Sequence, residues 1–173
     1  MAYRLVGCFA AAALAVSGVA MAADGPNDAQ IAHIAYTAGN IDIAAAKQAL
    51  KKSHNAAVRE FASEMVRDHE AVNAKALALV KQLKVTPEDN STSKALNKGA
   101  ADEMKKLGSL NGAAFDKAYV ANEVAFHSTV NGALKSTLIP SAHNAQLKSL
   151  LETGLTLFSE HQHHAEQLEA KLK

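Results

Sequence analysis

The chain has 173 residues, with 18 basic side chains against 17 acidic ones and a hydrophobic share of 49%, of which little is aromatic and none is tryptophan. A net charge of +1 without a basic stripe argues against a nucleic-acid surface. Alanine and leucine in place of β-branched and aromatic residues favour close-packed helices over sheets. Cys8 is the only cysteine, which excludes a disulfide framework and a thiolate metal cage.

Residues 1–22 read as a cleavable secretory signal. Arg4 supplies a minimal positive start, residues 6–19 an alanine-rich apolar stretch, and Ala20-Met21-Ala22 an A-x-A cleavage site. The apolar stretch falls short of the ~20 strongly apolar residues of a membrane span. Cleavage after Ala22 removes Cys8 and leaves 23–173 as one helical-bundle domain without a thiol. The mature chain is therefore expected in the periplasm, with no transmembrane span.

Beyond the signal the apolar period is 3.6 almost throughout. A first helix is predicted over 27–52, started by Asn27 and Gln30 as a capping-box pair, with Gly39-Asn40 as a place where it could break. A second covers 55–84, with Val58, Phe61, Met65, Val72 and Leu79 on one face. A loop with Pro87 leads to a shorter polar helix over 91–106. A third long helix covers 113–137 and is stopped by Pro140. A fourth covers 141–172, with Leu147, Phe158, Ala165 and Leu168 inside. Tight links within the first and last pairs predict two antiparallel hairpins. The long segment between them, containing the short helix, can return along a helix ~45 Å in length. That pattern is expected to give an all-α, ferritin-like four-helix bundle, with a simple up-down bundle carrying a helical excursion as the runner-up.

Ionisable residues fall inside the apolar stripes when each helix is drawn at 100° per residue. Asp42 lines up with Ile31, Ala35, Ala38 and Ala46. His69 lines up with Met65, Val72 and Ala76, and Asp68 lies at that stripe's edge. Glu123 lines up with Tyr119, Phe126 and Val130, flanked by Asp116 and His127. His161 lines up with Phe158, Ala165 and Leu168, with His164 at the edge and His163 pointing away. A single core histidine is usually just hydrogen-bonded. Four helices that each bury an ionisable group need those groups to meet each other, a metal or trapped water, because an unpaired buried charge costs several kcal/mol.

Imidazole and carboxylate suit a divalent transition metal (zinc, copper, iron or manganese), and the lack of thiolate argues against a soft site. A di-iron centre of the Glu-x-x-His type has little support. The only such match is Glu160 with His163, which faces outward. The cluster His161-Gln162-His163-His164 reads equally as a loose surface site or as a solvated face. Nucleophilic catalysis lacks a cysteine, a serine elbow and a phosphate loop.

Phe61-Ala62-Ser63-Glu64-Met65-Val66-Arg67-Asp68-His69, Phe115-Asp116-Lys117-Ala118-Tyr119 with His127, and His161 with Ala165 together resemble the bacterial domain-of-unknown-function family 4142. The resemblance covers about residues 28–168. It implies a ferritin-like fold in an exported protein, of a kind often described as an outer-membrane protein, and no established activity. The motif positions it carries over are Asp68, His69, Asp116, Tyr119, His127 and His161. The expected function is a periplasmic binding or stress module with an interior metal site at Asp42, Asp68, His69, Asp116, Glu123, His127 and His161. A structural or interaction protein with a metal-free polar network is the alternative. A metal-dependent oxidoreductase comes third, so the chain is read more as a binder than as an enzyme.

Overall fold

The computed structural model describes residues 25–172, so the signal sequence read over 1–22 lies outside the described residues. Among the described residues every regular element is helical: α1 (Asp28–Lys52), α2 (Ala56–Leu83), α3 (Ser91–Ser109), α4 (Gly112–Ala133), a π-helical turn (Leu134–Leu138), α5 (Ile139–Ser141) and α6 (Ala145–Lys171). None of these helices is long and apolar enough to cross a membrane.

Asparagines start the helices. Asn27 Oδ1 accepts from the Gln30 N–H at 2.9 Å, and Gln30 Oε1 accepts from the Asn27 N–H at 3.2 Å, which is the capping box the spacing predicts. Asn55 and Asn144 each take two first-turn N–H groups, and Asn90 pairs with Ser93. Such a cap contributes ~1 kcal/mol. Asp28 also accepts from the His143 and Asn144 N–H groups, both at 2.9 Å, and so ties the start of α1 to the start of α6.

Two local features differ from the sequence expectation, and one, the continuity of α1, is open in it. α1 does not break at Gly39-Asn40. A Cβ at Gly39 would stand 2.4 Å from Asn73 Oδ1, so the glycine lets the Asn73 amide of α2 press against α1. Asn73 then donates to Asn40 Oδ1 at 3.0 Å. Pro140 does not end the helix before it: the chain stays helical through the π-turn to Ser141. A proline ring collides with the carbonyl four residues back in an α-helix, and the wider π-turn immediately ahead of it eases that clash. Finally, Ala142 is extended and Asn144 caps, so the last helix starts at Ala145 and not at 141.

α1 packs along α2, α4 along α6, and α3 lies against α1. Two apolar cores result. One joins Ala46 and Ala49 of α1, Phe61 and Met65 of α2, Phe115 and Tyr119 of α4, and Leu168 of α6. The other joins Ile31 and Ile34 with Leu134, Leu138, Leu147 and Leu151. The middles of α1, α2, α4 and α6 lie between the two cores, and their buried residues there are Asp42, His69, Glu123, His127 and His161. Of the aromatic residues expected on the buried faces of the helices, Phe126 and Phe158 are only part-buried.

Candidate metal centre

Each long helix places its ionisable residue between the two cores through its own register. The three imidazole rings of His69, His127 and His161 form a near-equilateral triangle, with centroids 5.7, 5.4 and 5.5 Å apart. Phe158 stacks on the His69 ring at 4.7 Å with the planes 5° apart, which fixes the ring's plane. Asp42 Oδ2 stands 3.6 Å from His69 Nε2 and 3.6 Å from His127 Nε2. Glu123 adds a second carboxylate, 3.5 Å from His127 Nδ1. One ligand atom from each of His69, His127 and His161 lies within 4.8 Å of the others, and the same holds for Asp42, Glu123 and His127.

Hydrogen bonds decide which nitrogens are free. His127 Nδ1 is 3.0 Å from the Glu123 carbonyl, which can only accept, so Nδ1 carries the proton and Nε2 keeps a lone pair. His161 Nε2 is 3.1 Å from Asp68 Oδ2. Arg67 holds that carboxylate from two nitrogens, at 2.7 and 3.0 Å. The Arg67 hydrogen bond, with a smaller contribution from His161, keeps Asp68 below the usual carboxylate range. Asp68 therefore accepts the His161 Nε2 proton and leaves Nδ1 as the lone pair. A carboxylate that orients a histidine through its far nitrogen is the arrangement found behind metal-bound imidazoles.

Among the described residues the free atoms have no hydrogen-bond partner. Both oxygens of Asp42 and of Glu123, both nitrogens of His69, His127 Nε2 and His161 Nδ1 are buried without a hydrogen bond. Burial pushes His69 down to about 3, helped by the charges of its two neighbouring histidines. Burial likewise pushes His127 down to about 4, so both rings are neutral near pH 7 and able to bind a cation. Burial also lowers His161, partly opposed by Asp68. It raises Asp42 to about 7 and raises Glu123 well above its ordinary value, where Asp42 pushes it further. The two carboxyls are near enough to influence each other, yet neither is held in a regular hydrogen bond. Without a cation Glu123 keeps its proton, and Asp42 holds one below about pH 7.

The structure thus brings Asp42, His69, Glu123, His127 and His161 together, with Asp68 behind His161. Asp116 is buried on α4 but belongs to neither of these sets. Glu64 was not singled out from the sequence. It forms a further set with Asp68 and His161, and it meets His164 Nδ1 at 2.8 Å. Its position one turn before Asp68 was the available signal. His163 is exposed, as the wheel expects.

The motif residues now have positions: Phe61 and Met65 fill the core beside the site, Asp68 and His69 enter it, and Phe115 and Tyr119 stack above it at 6.1 Å. The family model described as a domain of unknown function (DUF4142) matches residues 11–168. The chain belongs to that family. No curated protein and no solved structure matches this DUF4142 chain.

Proposed function

We propose that this chain is an exported, periplasmic metal-binding protein. In this reading α1, α2, α4 and α6 make a ferritin-like four-helix bundle, with α3 as the returning crossover. The bundle holds a divalent first-row transition metal through His69, His127, His161 and Asp42, with Glu123 as an adjoining carboxylate. The observation that carries this reading is the pair of 3.6 Å separations from Asp42 Oδ2 to His69 Nε2 and His127 Nε2. They are too long for hydrogen bonds. Two donors at ~2.1 Å from one tetrahedral ion stand ~3.4 Å apart, close to what is seen. A metal-free polar network would instead pair these atoms with one another at under ~3.2 Å.

Nitrogen and oxygen donors fit zinc, copper, iron or manganese. The metal would act as a Lewis acid or a stored ion; the chain's own residues supply neutral imidazoles, a dry surround and a carboxylate that ionises on binding.

The test is elemental analysis and metal titration of untagged protein. One equivalent of metal is expected, abolished by His69→Ala or His127→Ala and kept by His163→Ala. A folded chain that binds none of the four metals above background, while His69→Ala still lowers its melting temperature, would leave the hydrogen-bonded network as the better reading.

A further inference from the structure

The half of the molecule built on the Ile31 and Leu134 core is taken as its lower half. An apolar chamber of about 170 Å³ starts at His69 and His127 and runs toward the π-turn. Its walls include Ala35 and Ala38 of α1, Ala76 of α2, Val130 of α4 and Leu151 of α6. On α2 it extends from His69 to Val80, and on α6 from Phe158 back to Leu147, so it is ~16 Å long.

The sequence explains why this half is hollow. α1 offers small residues to both cores. In the upper core Ala45, Ala46 and Ala49 are met by Phe61, Phe115 and Tyr119, which fill the space. In the lower half Ala35, Ala38 and Gly39 meet no fully buried aromatic ring, and Phe126 and Phe158 are only part-buried. The π-turn brings Leu134 and Leu138 to the far end, and π-turns inside helices are enriched at functional sites. At the near end His69 is 4% exposed, and neither of its nitrogens has a hydrogen-bond partner among the described residues.

We propose that the chamber binds a medium-chain aliphatic molecule with a neutral polar head, the chain lying between α1, α2, α4 and α6 and the head at His69. A cavity of ~150 Å³ with apolar walls accommodates a six-carbon ring. A longer chamber of similar volume suits a linear chain of roughly six to ten carbons. The head is a hydroxyl or a comparable uncharged group, because a carboxylate would lose its hydration in a chamber with no lysine or arginine among its lining residues. One nitrogen of His69 suffices for it, so the site does not depend on the metal reading.

The experiment is calorimetric titration of the purified chain with 1-octanol, octane and octanoate. Saturable one-to-one binding of 1-octanol is expected, at least tenfold tighter than octanoate. Ala76→Leu fills the chamber wall and should weaken 1-octanol at least tenfold while the metal content stays at the wild-type level. Val130→Ala enlarges the chamber and should shift the preference from 1-octanol to 1-decanol, which keeps the test open if Ala76→Leu fails to fold. Absence of saturable binding, unchanged affinity in folded Ala76→Leu, or tightest binding by octanoate would overturn the proposal. Octanol binding in a chain that takes up no metal would overturn only the metal reading.

Discussion

His127 gives its two nitrogens different tasks: Nδ1 donates to the Glu123 carbonyl and Nε2 faces Asp42. His161 divides its work the other way, with Nε2 on Asp68. Removing that orienting acid should therefore affect the metal and not the fold. Asp68→Asn is expected to weaken metal affinity ~10–100-fold, read by competitive chelator titration, with little change in circular dichroism. The pH dependence follows from the same residues. Asp42 moves from 3.8 unfolded to about 7 folded, so the folded state holds the extra proton and stability falls as pH rises through that window. His69 and His127 move from 6.5 to about 3 and about 4, so the unfolded state holds those protons and stability falls as pH drops below about 6.5. Glu123, raised as well, offsets the two histidines below pH ~6 and adds to the carboxyl loss above it, so metal-stripped protein should keep its melting temperature between pH ~5 and ~6 and melt lower as pH rises toward ~8. Added metal should remove the alkaline decline, because the ionised carboxyls then face a cation. Metal affinity should start to fall near pH ~7, where Asp42 takes up its proton, and not only below ~6, where a free imidazole would. Melting curves from pH 5 to 8, with chelator and with zinc, check both statements.

At the scale of the helix, two glycines with the same intrinsic penalty have opposite meanings. Gly39 sits in α1 against Asn73, with the amide oxygen 2.4 Å and the amide carbon 3.0 Å from the position of a Cβ. Gly99 in α3 has no atom of the described residues within 4 Å of that position. Helix propensity alone would credit Ala with ~1 kcal/mol at either site. Gly99→Ala should gain ~0.5–1 kcal/mol. Gly39→Ala should lose ~1–3 kcal/mol, because the whole Asn73 amide is in the way. In Gly39→Ala/Asn73→Ala the loss should be smaller than the sum of the two single changes. Urea titrations of the set decide it; a stabilising Gly39→Ala would mean that α1 and α2 are farther apart than described. The same contact explains why a glycine that reads as a break is a packing site. Its reason lies on another helix, beyond the reach of a local pattern.

Across the whole molecule, the polar layer divides a well-filled core from a hollow one. Met65 is fully buried among Phe61, Tyr119 and Leu168 in the filled half. Met65→Asp would place a carboxylate there with no arranged partner, at a cost of ~3–5 kcal/mol. The chain should fail to fold or lose most of its cooperative melting transition, whether or not metal is added. Metal should by contrast raise the wild-type melting temperature, since the five groups meet only in the folded chain. If Met65→Asp melts like wild type, the upper core is not where the structure places it.

Much of the architecture can be read in the chain itself. The 3.6 period places Asp42, His69, Glu123 and His161 on buried faces, and the Asn27 capping box, the short middle helix and the outward face of His163 are local features that the sequence spells out. These depend on neighbours within one or two turns, and a single helix carries that information. Tertiary structure alone decided which of the buried groups meet. Asp116 and Glu123 share a helix and a buried face, yet only Glu123 lies at the height of Asp42. Asp68, at a stripe edge, became the residue that orients His161 from the neighbouring helix. Whether α1 bends at Gly39, where α6 starts, and why the lower core is hollow also depend on side chains distant in sequence. The reason is geometric: a helix wheel fixes the angle about the axis, while the rise that brings two helices to the same height is set by the links and by packing between them.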